Sequence, residues 1–173
     1  IKADYERLAV LRQEGAKAED QLAWIRSYFT PGLVNRYEAV GFKTKLVDVL
    51  DRDGLTRVLQ DNHCRVIQMH RRNFVKAVVS RINARRLYEA SGKWNLYDQK
   101  DRMPAFDIDP DIFEQYLQER EQAESELIAY VDQLGLPALK IVYEDLLVNS
   151  AMILAQVFNN IGVHPFQVLS KTL

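Results

Sequence analysis

Apolar residues recur at intervals of three and four through most of this chain, and the exceptions are short. Residues 2–14 carry Tyr5, Leu8, Ala9 and Leu11 at helical spacing, and residues 18–29 continue with Leu22, Ile25 and Phe29. Pro31-Gly32 interrupts that pattern. Gly41-Phe42-Lys43-Thr44-Lys45-Leu46-Val47 alternates instead, which predicts a strand. Residues 54–61 read as a short helix stopped by Asn62-His63. Arg65 to Met69 is a β-branched, apolar run and predicts a buried strand. A helix is expected over 73–90, with Ala77, Val78, Ile82 and Leu87 along it and Ser91-Gly92 at its end.

From Lys93 to Pro110 the pattern is lost among Asp, Pro and aromatic residues, and a loop of that length is a candidate for function. Asp109-Pro110 then opens a long polar helix over 110–134, a cap followed by proline in the first turn. Its acidic part, 114–126, reads as a solvated face. Gly135-Leu136-Pro137 ends it, Leu139 to Tyr143 predicts a third strand, and Asn149 to Ile161 a last helix closed by Gly162. Strands alternating with helices predict an α/β fold, a parallel sheet with helices on both faces. Ligands in such sheets lie beyond the carboxyl ends of the strands. That rule puts Arg72 and Tyr143 on one rim.

A length of 173 residues is expected to form one domain, and a net charge of −1 argues against a nucleic-acid partner. No apolar run has the length of a membrane span, so no integral membrane segment is expected. One cysteine, Cys64, excludes an internal disulfide framework and fits a reducing compartment. His63, His70 and His164 lack metal-ligand spacing and read as structural; no metal is expected.

The chemistry concentrates after the second predicted strand. Arg72 stands just ahead of a helix and Ser80 lies eight residues on. A guanidinium fork, the N–H groups of a helix start and a hydroxyl can together grip a phosphate. Arg71 competes with Arg72, and the eight-residue spacing favours Arg72. Ser80 has a plainer alternative, a bond to a carbonyl one turn back. Lys43 and Lys45 share a strand face by the period of two. Glu144 and Asp145 fit the start of the last helix or a pairing with an arginine. Trp94 either lines a ligand site or packs against a core edge.

Three segments, taken together, resemble the sulfotransferase family. Arg65 to Asn73, continued to Ser80, is similar to that family's 3′-phosphate motif. Ile141-Val142-Tyr143-Glu144-Asp145-Leu146-Leu147, with Phe158 and Ile161-Gly162-Val163, is similar to its YEDL segment and the helix after it. Gly41 to Leu46 resembles the strand that precedes the 3′-phosphate motif. The ordered match spans residues 41–163, and Ser80-Arg81-Ile82-Asn83-Ala84 with Gly92-Lys93-Trp94 looks most like the bacterial branch acting on carbohydrates and glycolipids.

The resemblance implies a three-layer parallel sheet flanked by helices, the P-loop nucleoside-triphosphatase-like sulfotransferase fold. It implies 3′-phosphoadenosine 5′-phosphosulfate as co-substrate and sulfuryl transfer to a hydroxyl or amine of a glycan or glycolipid acceptor. Arg72 and Ser80 match the pair on the 3′-phosphate, and Tyr143 matches an aromatic near the adenine. Lys43 matches a lysine beside the reacting sulfate. Lys45 stands where some members carry a catalytic histidine, so the base is unassigned. The 5′-phosphosulfate loop is expected upstream of residue 1, and Lys171 approaches the family's C-terminal basic loop. A cytoplasmic bacterial protein is expected, or a Golgi-lumen one if eukaryotic; a homodimer is left open. The alternatives are a non-catalytic nucleotide- or glycan-binding module of the same fold and a P-loop kinase-like phosphotransferase. The latter would need a Gly-rich loop ending in Lys-Ser/Thr, and the chain shows none.

Overall fold

The computed structural model describes residues 2–5, 7–96, 98 and 102–163. The chain is mixed α/β. In order it forms β1 (Lys2–Tyr5), α1 (Arg7–Gln13), α2 (Ala18–Ser27), α3 (Pro31–Val34), β2 (Val40–Lys43), α4 (Arg52–Asp61), β3 (Val66–His70), α5 (Phe74–Ser91), α6 (Pro110–Gln133), β4 (Ala138–Val142), α7 (Tyr143–Val148) and α8 (Ser150–Ile161). A 3₁₀ turn occupies Leu46–Asp48.

Several boundaries differ from the sequence pattern. Residues 2–5 are a strand, not the start of a helix, because they pair in parallel with β2: Lys2 opposite Val40, Tyr5 opposite Lys43. A parallel pair needs a long crossover, and α1, α2 and α3 supply it. Pro31, expected only to interrupt, starts the short helix α3, where its missing N–H costs nothing. β2 stops at Lys43 rather than Val47, since the next residues turn into the 3₁₀ segment. The described strands fall into two two-stranded sheets, β1–β2 and β3–β4. The helices expected over 18–29, 54–61, 73–90, 110–134 and 149–161 are present with small shifts at their ends.

The chain divides into two compact units. The first comprises the residues up to Met69 and those from Leu127 onward. Its core gathers Leu8, Leu22, Ile25, Val49, Leu55 and Val58, with Trp24, Phe42 and Tyr130 packed against them. One polar side chain lies inside it. The Gln21 amide is fully enclosed, donating to Leu8 O at 3.1 Å and Asp48 O at 2.9 Å and accepting from Leu50 N–H at 3.0 Å. It thereby fastens α1 and the turn before α4 to α2. α4 approaches α2 closely at Gly54, where a Cβ would lie 2.6 Å from Leu22 Cδ1.

The second unit runs from His70 to Glu126. Its core is Val78 and Ile82 of α5 against Tyr116 of α6, with Phe106, Ile108, Phe113 and Leu117 around them. The segment from Lys93 to Asp109 contains no helix or strand among its described residues. α5 ends at Gly92, whose φ of 70° is the left-handed conformation a helix stop of this kind requires.

Candidate functional site

The strand–turn–helix around Arg72 builds up from local rules. Val66 to His70 extends as β3, then Arg71 and Arg72 turn the chain, and Asn73 caps α5. Asn73 Oδ1 accepts the Lys76 N–H at 2.8 Å. That bond satisfies one of the donors a helix start leaves over. The remaining helix-start groups and the positive end of an 18-residue helix dipole lie directly behind Arg72. Arg72 is exposed, Arg71 is half-buried, and Ser80 is exposed two turns into α5.

Beside the turn lies a polar cluster that the sequence pattern did not announce. His70, the last residue of β3, donates from Nδ1 to Oε1 of Glu124 on α6. The second oxygen of Glu124 accepts from Arg120 Nη2 at 2.7 Å. The Glu124 side chain is 5% exposed and that of His70 19%. Phe74 completes the group: its ring meets the His70 ring edge-on at 6.3 Å, and the Arg120 guanidinium stands 5.6 Å from it. Arg120 Nε is enclosed without a partner among the described residues. The acidic stretch 114–126 is therefore not wholly a solvated face. A signal was present, since Glu124 falls seven residues from both Leu117 and Val131, on the apolar stripe of α6. His70, read as structural, has its carboxylate partner 54 residues away.

Farther along α5, arginines meet the aromatic residues of the second unit. The Arg81 guanidinium lies 4.1 Å from the Tyr116 ring and pairs with Glu119 at 2.8 Å. Hydrogen bonds from Gln115 first, then from Arg81, hold the Glu119 carboxyl below its usual range. Arg85 donates to Glu89 at 2.9 Å and to the Tyr116 hydroxyl at 2.7 Å. The bond to Glu89 is the larger cause of its raised pKa. Arg86 stacks 3.5 Å from Phe106. Next to it is an open cleft of about 350 Å³, lined in part by Ile82, Arg86, Asp107, Ile108 and Ile112. Trp94 stacks on Tyr88 of α5, centroids 4.3 Å apart, and remains half exposed.

The other candidates belong to the first unit. Lys43 ends β2 and is exposed. Lys45 is exposed but lies outside the strand, at the cap position of the 3₁₀ turn, where its carbonyl accepts the Asp48 N–H at 3.0 Å. β2 thus ends at Lys43, and Lys45 lies two residues past it, still extended, where the 3₁₀ turn begins. Tyr143 follows the strand rather than ending it: it is the first residue of α7 and is half-buried. Glu144 and Asp145 occupy the first turn of α7, the end of a helix that favours acids. Lys171 and His164 lie outside the described residues.

No family model, curated protein or solved structure matches this chain. Among the described residues, no group of three His, Cys, Asp or Glu side chains could hold a metal ion, and no helix is long and apolar enough to cross a membrane.

Proposed function

We propose that this chain is a sulfotransferase, built on a three-layer parallel-sheet fold and using 3′-phosphoadenosine 5′-phosphosulfate. The acceptor is a hydroxyl or amine of a carbohydrate or glycolipid. The observation that carries the proposal is the Asn73-capped α5 standing immediately behind Arg72, with Ser80 two turns along. An exposed arginine, a helix N-terminus and a hydroxyl in sequence suit a phosphate dianion. The passage from β4 into Tyr143 and an acid-bearing helix adds support from the second motif.

The 3′-phosphate does not react. It serves as a handle by which Arg72 and Ser80 distinguish this donor from nucleotides that lack the group. In the transfer, the acceptor oxygen or nitrogen attacks sulfur, and the bond from sulfur to the bridging phosphate oxygen breaks. Adenosine 3′,5′-bisphosphate leaves with the bond's electrons, and the acceptor's proton passes to a base. Charge builds on the bridging and outer oxygens, where fixed positive groups stabilise it most. Lys43 and Lys45 are the proposed sources of that charge.

The test is calorimetric binding of adenosine 3′,5′-bisphosphate against adenosine 5′-monophosphate. The bisphosphate is expected to bind more tightly, and Arg72→Ala to weaken it roughly thirtyfold or more. Equal affinity for the two nucleotides, unchanged by Arg72→Ala, removes the proposal.

A further inference from the structure

His70 closes β3 two residues before Arg72, and its ring is fixed. Nδ1–H is committed to the buried carboxylate of Glu124, and the edge of Phe74 packs on the ring. A histidine donating through one nitrogen to a carboxylate has its tautomer and orientation set, so the other nitrogen becomes the working end. Here that end is Nε2. The His70 side chain is 19% exposed, whereas Arg120 Nε is enclosed.

Charge gives this nitrogen a preferred ligand. Glu124 is one carboxylate facing two partners, the Arg120 guanidinium at 2.7 Å and the His70 ring. Arg120 alone offsets the carboxylate, so a protonated His70 adds positive charge beside the turn that carries Arg71 and Arg72. An imidazolium held between a buried carboxylate and an incoming phosphate is bonded at both ends by charge-assisted hydrogen bonds.

We infer that His70 is a third phosphate ligand of this turn. Its Nε2–H donates to an oxygen of the nucleotide 3′-phosphate, while Nδ1–H remains on Glu124. The ligand group is a phosphomonoester, and the inference rests on the donor proposed above. His70 then contributes to recognition of the 3′-phosphate itself, not only to the fold beneath it.

The experiment is calorimetry on the whole protein with adenosine 3′,5′-bisphosphate and adenosine 5′-monophosphate. The variants are Arg72→Ala, His70→Ala, His70→Gln and the Arg72→Ala/His70→Ala pair. His70→Ala is expected to weaken the bisphosphate roughly tenfold or more and to leave the monophosphate unchanged. His70→Gln can donate to Glu124 but not at both ends, so it should show the same selective loss with the fold kept. The loss should persist when Arg72 is already alanine. If both nucleotides weaken alike, or the effect vanishes once Arg72 is gone, His70 merely positions the turn and the inference fails. If the wild type does not discriminate the two nucleotides, the donor proposal fails first. If it does discriminate but His70→Gln changes nothing, only the inference fails.

Discussion

Glu124 Oε2 accepts a hydrogen bond from Arg120 Nη2 at 2.7 Å, one turn back on the same helix, while its other oxygen takes the His70 ring. A carboxylate that is 5% exposed is thus satisfied from two elements. Removing one member of such a buried group leaves the others uncompensated. Glu124→Ala is expected to destabilise the protein by about 3 kcal/mol, read from urea unfolding. Glu124→Gln retains an acceptor and should cost less.

Gln21 makes a comparable but uncharged bridge in the first unit. Its amide satisfies three backbone groups, those of Leu8, Asp48 and Leu50. Gln21→Leu keeps the volume and strands all three. The expected loss is about 3 kcal/mol in chemical denaturation. A loss below that of an ordinary surface substitution would mean the bridge is not structural.

Gly54 permits the close packing of α4 on α2. An added Cβ meets Leu22 Cδ1 at 2.6 Å, and the Asp51 cap is nearer still. Gly54→Ala would normally favour a helix by up to about 1 kcal/mol. Here the crowding should dominate, giving a net loss of about 1–2 kcal/mol. An increased melting temperature would contradict the packing.

Cys64 supplies a pH dependence. Burial pushes its thiol pKa up. A raised folded-state pKa leaves stability complete below the unfolded thiol's pKa, about 8.5, and loses it as pH rises through the folded value. The folded protein should therefore react slowly with iodoacetamide near neutrality compared with the unfolded chain. Cys64→Ala should flatten the alkaline side of the stability profile. Equal alkylation rates for folded and unfolded protein would contradict this.

Local chemistry made part of this molecule legible in advance. The apolar run at Val66–Met69 and the stop at Gly92 located β3 and the end of α5, and Asp109-Pro110 located the start of α6, because each depends on neighbouring residues alone; the burial expected for β3 is not seen, since Ile67 and Met69 are exposed and Gln68 is the buried residue. Asp109 Oδ1 indeed accepts the Asp111 N–H at 2.9 Å. The pairing of β1 with β2 was hidden, since four residues with two charges carry little periodicity and the partner strand lies 38 positions later, Lys2 opposite Val40. The shift of Lys45 out of β2 depends on where a turn begins, which alternation does not mark. The contact of His70 with Glu124 is tertiary and has no trace in spacing; the 114–126 stretch reads as a solvated face, although the place of Glu124 on the apolar stripe of α6 is a signal that it faces inward.

The central claim is that the turn at Arg72 holds a 3′-phosphate. Phosphorus NMR of bound adenosine 3′,5′-bisphosphate tests it most directly, because the 3′ and 5′ resonances report separately. The 3′ resonance is expected to shift on binding to the wild-type protein and to return toward its free position in Arg72→Ala. A 3′ resonance that stays at its free position while the 5′ resonance moves, or that is indifferent to Arg72→Ala, would contradict the account.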